Sequence, residues 1–250
     1  MMDYPLIFGA VSVFVLWLAA QAGSFLHRRQ ELEEAEHKDL EVILAATLTL
    51  LGLIIGFTFS MAVSRYDQRK NYEEAEANAI GTEYARAGLL PGSEAPKVRE
   101  LLINYVNQRV LFYTTRSAGK LDEINASTAR LQSDLWSVVQ ARAVAEPTPV
   151  MALAASGMND VLNSQGYTQA AWWNRIPQAA WALMAAIAIC CNLLLGYTSR
   201  RSDNTVLRPF ILPLIVSISF FLIADLDAPR AGVIRVRPQN LMTLYSLGAP

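Results

Sequence analysis

Some carboxylate side chains in this sequence are placed where they could attract or bind ions. They form two groups at the ends of apolar runs: Glu73, Glu74 and Glu76 after one run, and Asp225 and Asp227 in FLIADLDAPRAG. For the glutamates we favour a solvated helix face over a cation site. For the aspartates, an ion pair with a residue such as Arg230 and a role at the mouth of an ion pathway remain equally open.

Catalytic chemistry is not indicated by the other polar residues. The 250-residue chain has only two histidines, His27 and His37, and its two cysteines are adjacent at Cys190 and Cys191. The sequence has no phosphate-binding glycine loop, nucleophile motif or zinc-ligand spacing. We therefore expect no enzyme, no catalytic residues, no metal and no cofactor. The formal net charge of -1 also argues against a nucleic-acid partner.

The distribution of apolar residues predicts a membrane protein. The chain is 53% hydrophobic and only 17% charged, whereas soluble domains carry about a quarter charged residues. Apolar segments long enough to cross a bilayer cover residues 4–26, 40–64, 177–198 and 207–224. Trp172, Trp173 and Trp181 near the third segment suggest an aromatic belt at the membrane surface. Positive residues flank the segments almost evenly on both sides, so charge alone leaves the orientation open.

The polar middle of the chain predicts further helices. Apolar residues recur at helical spacing in three stretches, with breaks at LLPGSEAP, SAGK and EPTPV. The stretch 92–116 has six large apolar residues near helical spacing: Val98, Leu101, Leu102, Tyr105, Val110 and Phe112. The only weak strand candidate is GVIRVRP near the C-terminus. No turn signal interrupts GFTFSMAVSRYDQRKN at 56–71, which indicates that the second span continues as one helix into the polar region.

The second span carries two stripes of side chains at four-residue spacing. One stripe is small and the other is bulkier: Gly52, Gly56, Ser60 and Ser64, and Thr49, Leu53, Phe57 and Met61. Small stripes let helix backbones approach closely. In a ring of subunits, the bulky stripe could form a narrow apolar constriction around a pore. Ordinary helix packing in a monomer or dimer explains the same spacing, and periodicity alone favours it.

The stretch GFTFSMAVSRYDQRKN resembles the second transmembrane helix of bestrophins. Gly56 and Phe57 lead into Arg65 and Tyr66 at the spacing of that family, although Asp67 replaces its second aromatic residue. The blocks LGLIIGFTFSMAVSRYDQRKNYEEAEANAIGTEYARAGLLP and DLDAPRAGVIRV resemble a bestrophin-like bacterial family more closely. This second resemblance runs from about residue 41 to residue 236.

The resemblance implies a fold and a function that the spacing alone does not. It implies an all-α membrane protein with four transmembrane helices per subunit and a helical cytosolic domain between the second and third. It also implies a homo-oligomeric channel, pentameric and anion-selective, with an apolar neck at Thr49, Leu53 and Phe57. Thr49 replaces an aliphatic residue of the family. The calcium clasp of animal bestrophins has no acidic counterpart in this sequence, so we expect no calcium gating.

We therefore expect four regions in a bacterial inner-membrane protein with cytoplasmic termini. They are transmembrane helices 1 and 2 at 1–64, a cytosolic helical domain at 65–176, transmembrane helices 3 and 4 at 177–226, and a cytosolic C-terminal tail at 227–250. Expected partners are the lipid bilayer, further copies of the chain and permeating inorganic ions. The alternative function is a non-conducting membrane protein whose cytosolic helices bind a partner.

Overall fold

The protein is built from helices throughout the residues that its computed structural model describes, which are 4–27, 34–92, 94–199 and 208–248. The α-helices are α1 (Pro5–His27), α2 (Glu34–Arg86), α3 (Glu94–Thr114), α4 (Ala118–Ala145), α5 (Pro149–Trp173), α6 (Gln178–Thr198), α7 (Arg208–Asp227) and α8 (Gln239–Thr243). Short 3₁₀ helices cover Ala87–Leu89 and Leu244–Gly248.

The predicted membrane spans are confirmed as four helices long and apolar enough to cross a bilayer. They are α1, the first part of α2, α6 and α7, although residue 207 at the predicted start of the fourth span lies outside the described residues. The second span does continue into the polar region, because α2 is one helix of 53 residues. The weak strand prediction at 232–238 is wrong, since this segment is irregular and leads into α8.

The chain divides into two compact units. The unit that we call the membrane unit comprises Met1–Arg65 and Arg175–Ile234, and the helical unit comprises Tyr66–Asn174 and Arg235–Pro250. The cellular side of the helical unit is not a property of the fold and stays a prediction, as do the four regions predicted above.

In the membrane unit, α1 packs against α6 and α7. Gly23 and Gly196 lie where α1 crosses α6, and a Cβ atom at Gly196 would collide with the carbonyl oxygen of Ala20. The Ser24 hydroxyl donates to the Gly196 carbonyl across this crossing, at 3.1 Å. Close backbone approach through small residues is how helices pack in lipid, where burial of apolar surface gives little drive.

Aromatic packing in the two units corrects the predicted tryptophan belt. Trp181 is only 4% exposed and meets Phe8 edge-to-face, with ring centroids 5.2 Å apart. Trp172 is buried in the helical unit, with its ring 5.0 Å from that of Phe112. Of the three tryptophans, Trp173 is the one that stays exposed. Two of the predicted interface residues are therefore core residues, because large aromatic rings gain most from close packing.

The core of the helical unit lies among α3, α4, α5 and the part of α2 that contains Ala77 and Ile80. The predicted apolar face of α3 is confirmed for five of its six residues, of which Val98, Leu102 and Tyr105 are fully buried, whereas Leu101 is partly buried. Each large apolar side chain buried in this way contributes roughly 1.5–3 kcal/mol. The predicted break at EPTPV corresponds to the start of α5, where the Thr148 hydroxyl caps the helix by accepting from the Met151 N–H at 3.3 Å.

Candidate functional site

The predicted neck residues on α2 are exposed. Leu53 is 54% exposed, Phe57 is 64% exposed and Thr49 is also exposed. An apolar side chain in a membrane span must be covered by lipid, by another helix or by the wall of a narrow pore. No described part of the same chain covers these side chains well.

The predicted packing stripe is exposed as well. Gly52, Gly56 and Ser60 lie on the surface of α2, and a Cβ atom added at either glycine would meet no atom within 4 Å. The stripe therefore does not pack a helix of the described residues of its own subunit. Lipid or another polypeptide can cover it.

The buried side of α2 lies away from both stripes. Leu51 and Thr58 are 2% and 5% exposed. Leu53 and Gly56 each lie two residues from one of them, which is about 200° around an α-helix. The helix thus packs its own subunit on one side and presents the predicted neck and stripe on the other.

Two aspartates at the end of α7 are held by groups of the chain itself. Asp227 is 4% exposed, pairs with the Arg65 guanidinium at 3.5 Å and accepts the Ile176 N–H at 3.0 Å. Asp225 is 1% exposed and accepts the N–H groups of the two residues Val233 and Ile234, at 2.7 and 2.8 Å. These contacts favour the structural interpretation of the aspartates over a role at a pathway mouth. The partner that sequence reasoning missed is Arg65, which is 162 residues away from Asp227 in the chain.

The glutamates predicted to form a solvated face do not all do so. Glu74 is exposed, but Glu73 and Glu76 are 1% and 0% exposed, so the prediction is wrong for these two. Glu73 accepts from the Asn240 amide at 2.6 Å and from the Leu241 N–H at 2.9 Å, which holds α8 against α2. These carboxylates are therefore internal anchors of the helical unit.

Glu76 is the centre of a buried polar network. It pairs with the Arg109 guanidinium and accepts from the Tyr113 hydroxyl at 3.3 Å and the Thr168 hydroxyl at 3.1 Å. Burial raises the pKa of Tyr113 far above its ordinary value, and the negative charge of Glu76 adds to this. Arg109 is fully buried and lies 4.4 Å from the ring centroid of Phe112. The network ties α2, α3 and α5 together.

A sequence signal for this network existed. Buried residues recur at alternating steps of four and three along α2 and into the 3₁₀ helix that follows it: Arg69, Glu73, Glu76, Ile80, Glu83 and Ala87. This is the spacing of a helix face that packs against other helices, here occupied mostly by charged residues. Arg109 follows the buried Val98, Leu102 and Tyr105 at the same kind of spacing. Searching for apolar residues alone missed both faces.

Nothing in the described residues assembles a metal site from three or more histidine, cysteine, aspartate or glutamate side chains. The free thiols of Cys190 and Cys191 lie on α6, one exposed and one buried. The described residues thus provide buried polar anchors and an exposed apolar face on α2, and a function has to use these features.

Comparison with known proteins identifies the family. The model of the bestrophin-like domain matches residues 8–241, which include every residue discussed above as a site candidate. The chain belongs to the bestrophin-like family. The recognition made from GFTFSMAVSRYDQRKN and DLDAPRAGVIRV is thereby confirmed. No curated protein matches the chain.

Solved structures show that the bestrophin-like chain has the bestrophin fold. It is similar to a variant of a bacterial bestrophin homologue from Klebsiella pneumoniae, with 15% identity, a TM-score of 0.64 and coverage of 96% of this chain and 98% of that one. A second variant of that homologue gives 14% identity, a TM-score of 0.63 and 97% coverage of both chains. At this identity the likeness concerns the fold, and it confirms the predicted fold class.

Proposed function

We propose that this bestrophin-like chain is a subunit of an oligomeric ion channel. In this proposal α2 lines a central pore, and Thr49, Leu53 and Phe57 form its neck. The observation that carries the proposal is the exposure of these three side chains on the side of α2 turned away from its own subunit. A ring of apolar side chains would force ions to lose part of their hydration and would thereby slow or gate them.

The small stripe on α2 supports assembly with further copies of the chain. The open space around Gly52 and Gly56 allows the backbone of a neighbouring helix to approach closely. Repetition of one such contact by rotation closes a ring of identical subunits. The number of five subunits comes from the resemblance to bestrophins.

The burial of two glutamates strengthens the case for anion selectivity. Glu73, Glu74 and Glu76 together would favour cations at the exit of the pore, but Glu73 and Glu76 are buried and hydrogen-bonded inside the subunit. Only the exposed Glu74 is left of this argument for cations. The positive edge of an aromatic ring at Phe57 can face an anion favourably.

The remaining parts of the proposal follow from the family. We place the protein in the bacterial inner membrane, with its termini and the helical domain at 65–176 in the cytoplasm. The Arg65–Asp227 pair then marks the level at which α2 leaves the lipid, where charged groups need partners. The proposed channel is not an enzyme and needs no cofactor.

Recordings from purified protein in planar bilayers test this function. We expect single-channel currents from the wild type and a changed conductance in Phe57→Ala and Leu53→Ala. Phe59→Ala is the matched control, because Phe59 is also exposed but lies about 200° around α2 from Phe57. Currents that all three variants leave unchanged would refute the neck. A complete lack of currents from folded oligomers would favour the partner-binding alternative.

A further inference from the structure

A buried carboxylate in the helical unit has no role in the proposed pore. Glu83 lies near the end of α2 and is 0% exposed, yet neither of its carboxylate oxygens has a hydrogen-bond partner. A buried polar group without partners is costly, and a buried unpaired charge is more costly still. Such a group requires a specific explanation.

The absence of a side chain at Gly157 makes room for this carboxylate. A Cβ atom at Gly157 on α5 would collide with Oε2 of Glu83 and with Nη1 of Arg86. Gly166 on the same helix is different, because an added Cβ atom there would meet no atom within 4 Å. The Glu83 carboxyl group thus lies directly against the backbone of α5.

We call the line of contacts between α2 and α5 the seam. Away from Glu83, side chains of the two helices meet in favourable pairs along it. Tyr72 stacks on Tyr167 with ring centroids 6.0 Å apart, and Glu76 accepts from Thr168 at 3.1 Å. The two helices run antiparallel along this seam, since Tyr72 and Glu76 of α2 meet residues 167 and 168 of α5, whereas Glu83, further along α2, meets the earlier Gly157. Glu83 is the level of the seam at which a carboxylate faces α5 without accepting a hydrogen bond.

We propose that Glu83 is a proton-binding group that locks α2 against α5 at Gly157. With its proton, the neutral carboxyl group can remain buried against the glycine backbone. Without it, the carboxylate has to gain water or a stronger contact with Arg86, and the seam at this level opens more readily. The ligand of this site is the proton itself.

The charges around Glu83 set the pH at which the lock operates. Burial raises the pKa of Glu83 from its ordinary value of 4.5 to about 7, Arg86 on α2 opposes the rise and Asp160 on α5 adds to it. An opened seam returns the carboxyl group to water and to its ordinary pKa. Opening therefore releases a proton and becomes more favourable as the pH rises.

Hydrogen exchange measures this opening directly. The amides to follow are those of α2 around Glu83 and those of α5 around Gly157. After correction for intrinsic rates, we expect their exchange to rise about 30-fold between about pH 5.5 and about pH 8.5. The reason is that the equilibrium constant for opening increases up to tenfold per pH unit between the ordinary pKa of Glu83 and its raised pKa in the closed seam. Glu83→Gln should abolish the rise and keep the low exchange. Glu74→Gln is the control, an exposed carboxylate on the same helix, and should behave as wild type.

Two results would overturn the lock. One is a wild-type pH profile of exchange around Glu83 and Gly157 that is flat, or that is the same as the profile around Glu76 and Thr168. The other is a rise that persists unchanged in Glu83→Gln. If that variant does not fold, the wild-type profile alone decides. The proposal requires exchange around Glu83 to rise with a midpoint near pH 7, and exchange around Tyr72 to show no such rise. The test does not depend on whether the protein conducts ions.

Discussion

Replacement of Glu76 by glutamine should destabilise the helical unit strongly. The carboxylate is fully buried and neutralises the equally buried Arg109, and it also accepts from Tyr113 and Thr168. Glutamine keeps the shape but removes the negative charge, so that the guanidinium stays buried without compensation. Breaking a buried ion pair by removing one partner costs about 3–5 kcal/mol.

The cost is large enough to measure as a shift in thermal unfolding of the detergent-solubilised protein. For a chain of this length, 1 kcal/mol lowers the unfolding midpoint by about 2–4 °C, so Glu76→Gln should lower it by about 6–20 °C. Glu74→Gln is the matched control, because Glu74 is an exposed carboxylate two residues away. Its effect should stay within about 0.5 kcal/mol.

A double replacement separates the loss of charge balance from a general defect of the site. Changing Glu76 to leucine and Arg109 to methionine together removes both buried charges and keeps similar volume, so the double variant should melt well above Glu76→Gln. The reasoning fails if Glu76→Gln melts with Glu74→Gln. It also fails if the double variant is no more stable than the single one.

Three further changes test the close contacts by the same unfolding measurement. Gly157→Ala should destabilise the helical unit because the added Cβ atom meets Glu83. Gly166→Ala has open space around the added atom, so its stability should rise by up to about 1 kcal/mol from helix propensity. Equal effects of the two variants would contradict the packing at Gly157. Gly196→Ala should destabilise the membrane unit through its collision with the Ala20 carbonyl, and a neutral result would refute that crossing. The folded-state pKa of Glu83 is about 7, above its ordinary value of 4.5. The protonated carboxyl group therefore stabilises the fold in acid, and this stability is lost as the pH rises between the two values. The loss is about 3 kcal/mol at most. A flat pH profile of wild-type stability, or one that Glu83→Gln leaves unchanged, would contradict that burial.

The spans and the apolar helix faces could be predicted because they depend on local pattern. A run such as 40–64 is long enough to cross a bilayer whatever its neighbours are. Likewise, Val98, Leu102 and Tyr105 recur at helical spacing and are buried for that reason. Family resemblance then supplied the expected fold and its assembly into a channel, which periodicity alone does not determine.

The polar anchors could not be predicted in the same way, because their partners are distant in sequence. Glu76 meets Arg109 across 33 residues, and Asp227 meets Arg65 across 162 residues. A cluster of glutamates after a span has the composition of a solvated face. Its burial depends on whether another helix brings a guanidinium to it, and only the tertiary fold determines that.

The exposure of the proposed neck residues could also not be derived from spacing. Gly52 and Gly56 are equally suitable for packing within a subunit and between subunits. The fold separates these possibilities, because the described residues of the subunit pack Leu51 and Thr58 instead. The true small-residue crossing within the subunit lies at Gly196, which the sequence pattern did not single out.

Single-channel recording of Phe57→Ala beside Phe59→Ala is the most direct test of the proposed pore. The two phenylalanines are both exposed and lie two residues apart on α2, so that only one of them can face the proposed neck. We expect Phe57→Ala to change the unitary conductance while Phe59→Ala leaves it at the wild-type value. Equal conductance in the wild type and both variants would contradict a pore lined by this side of α2.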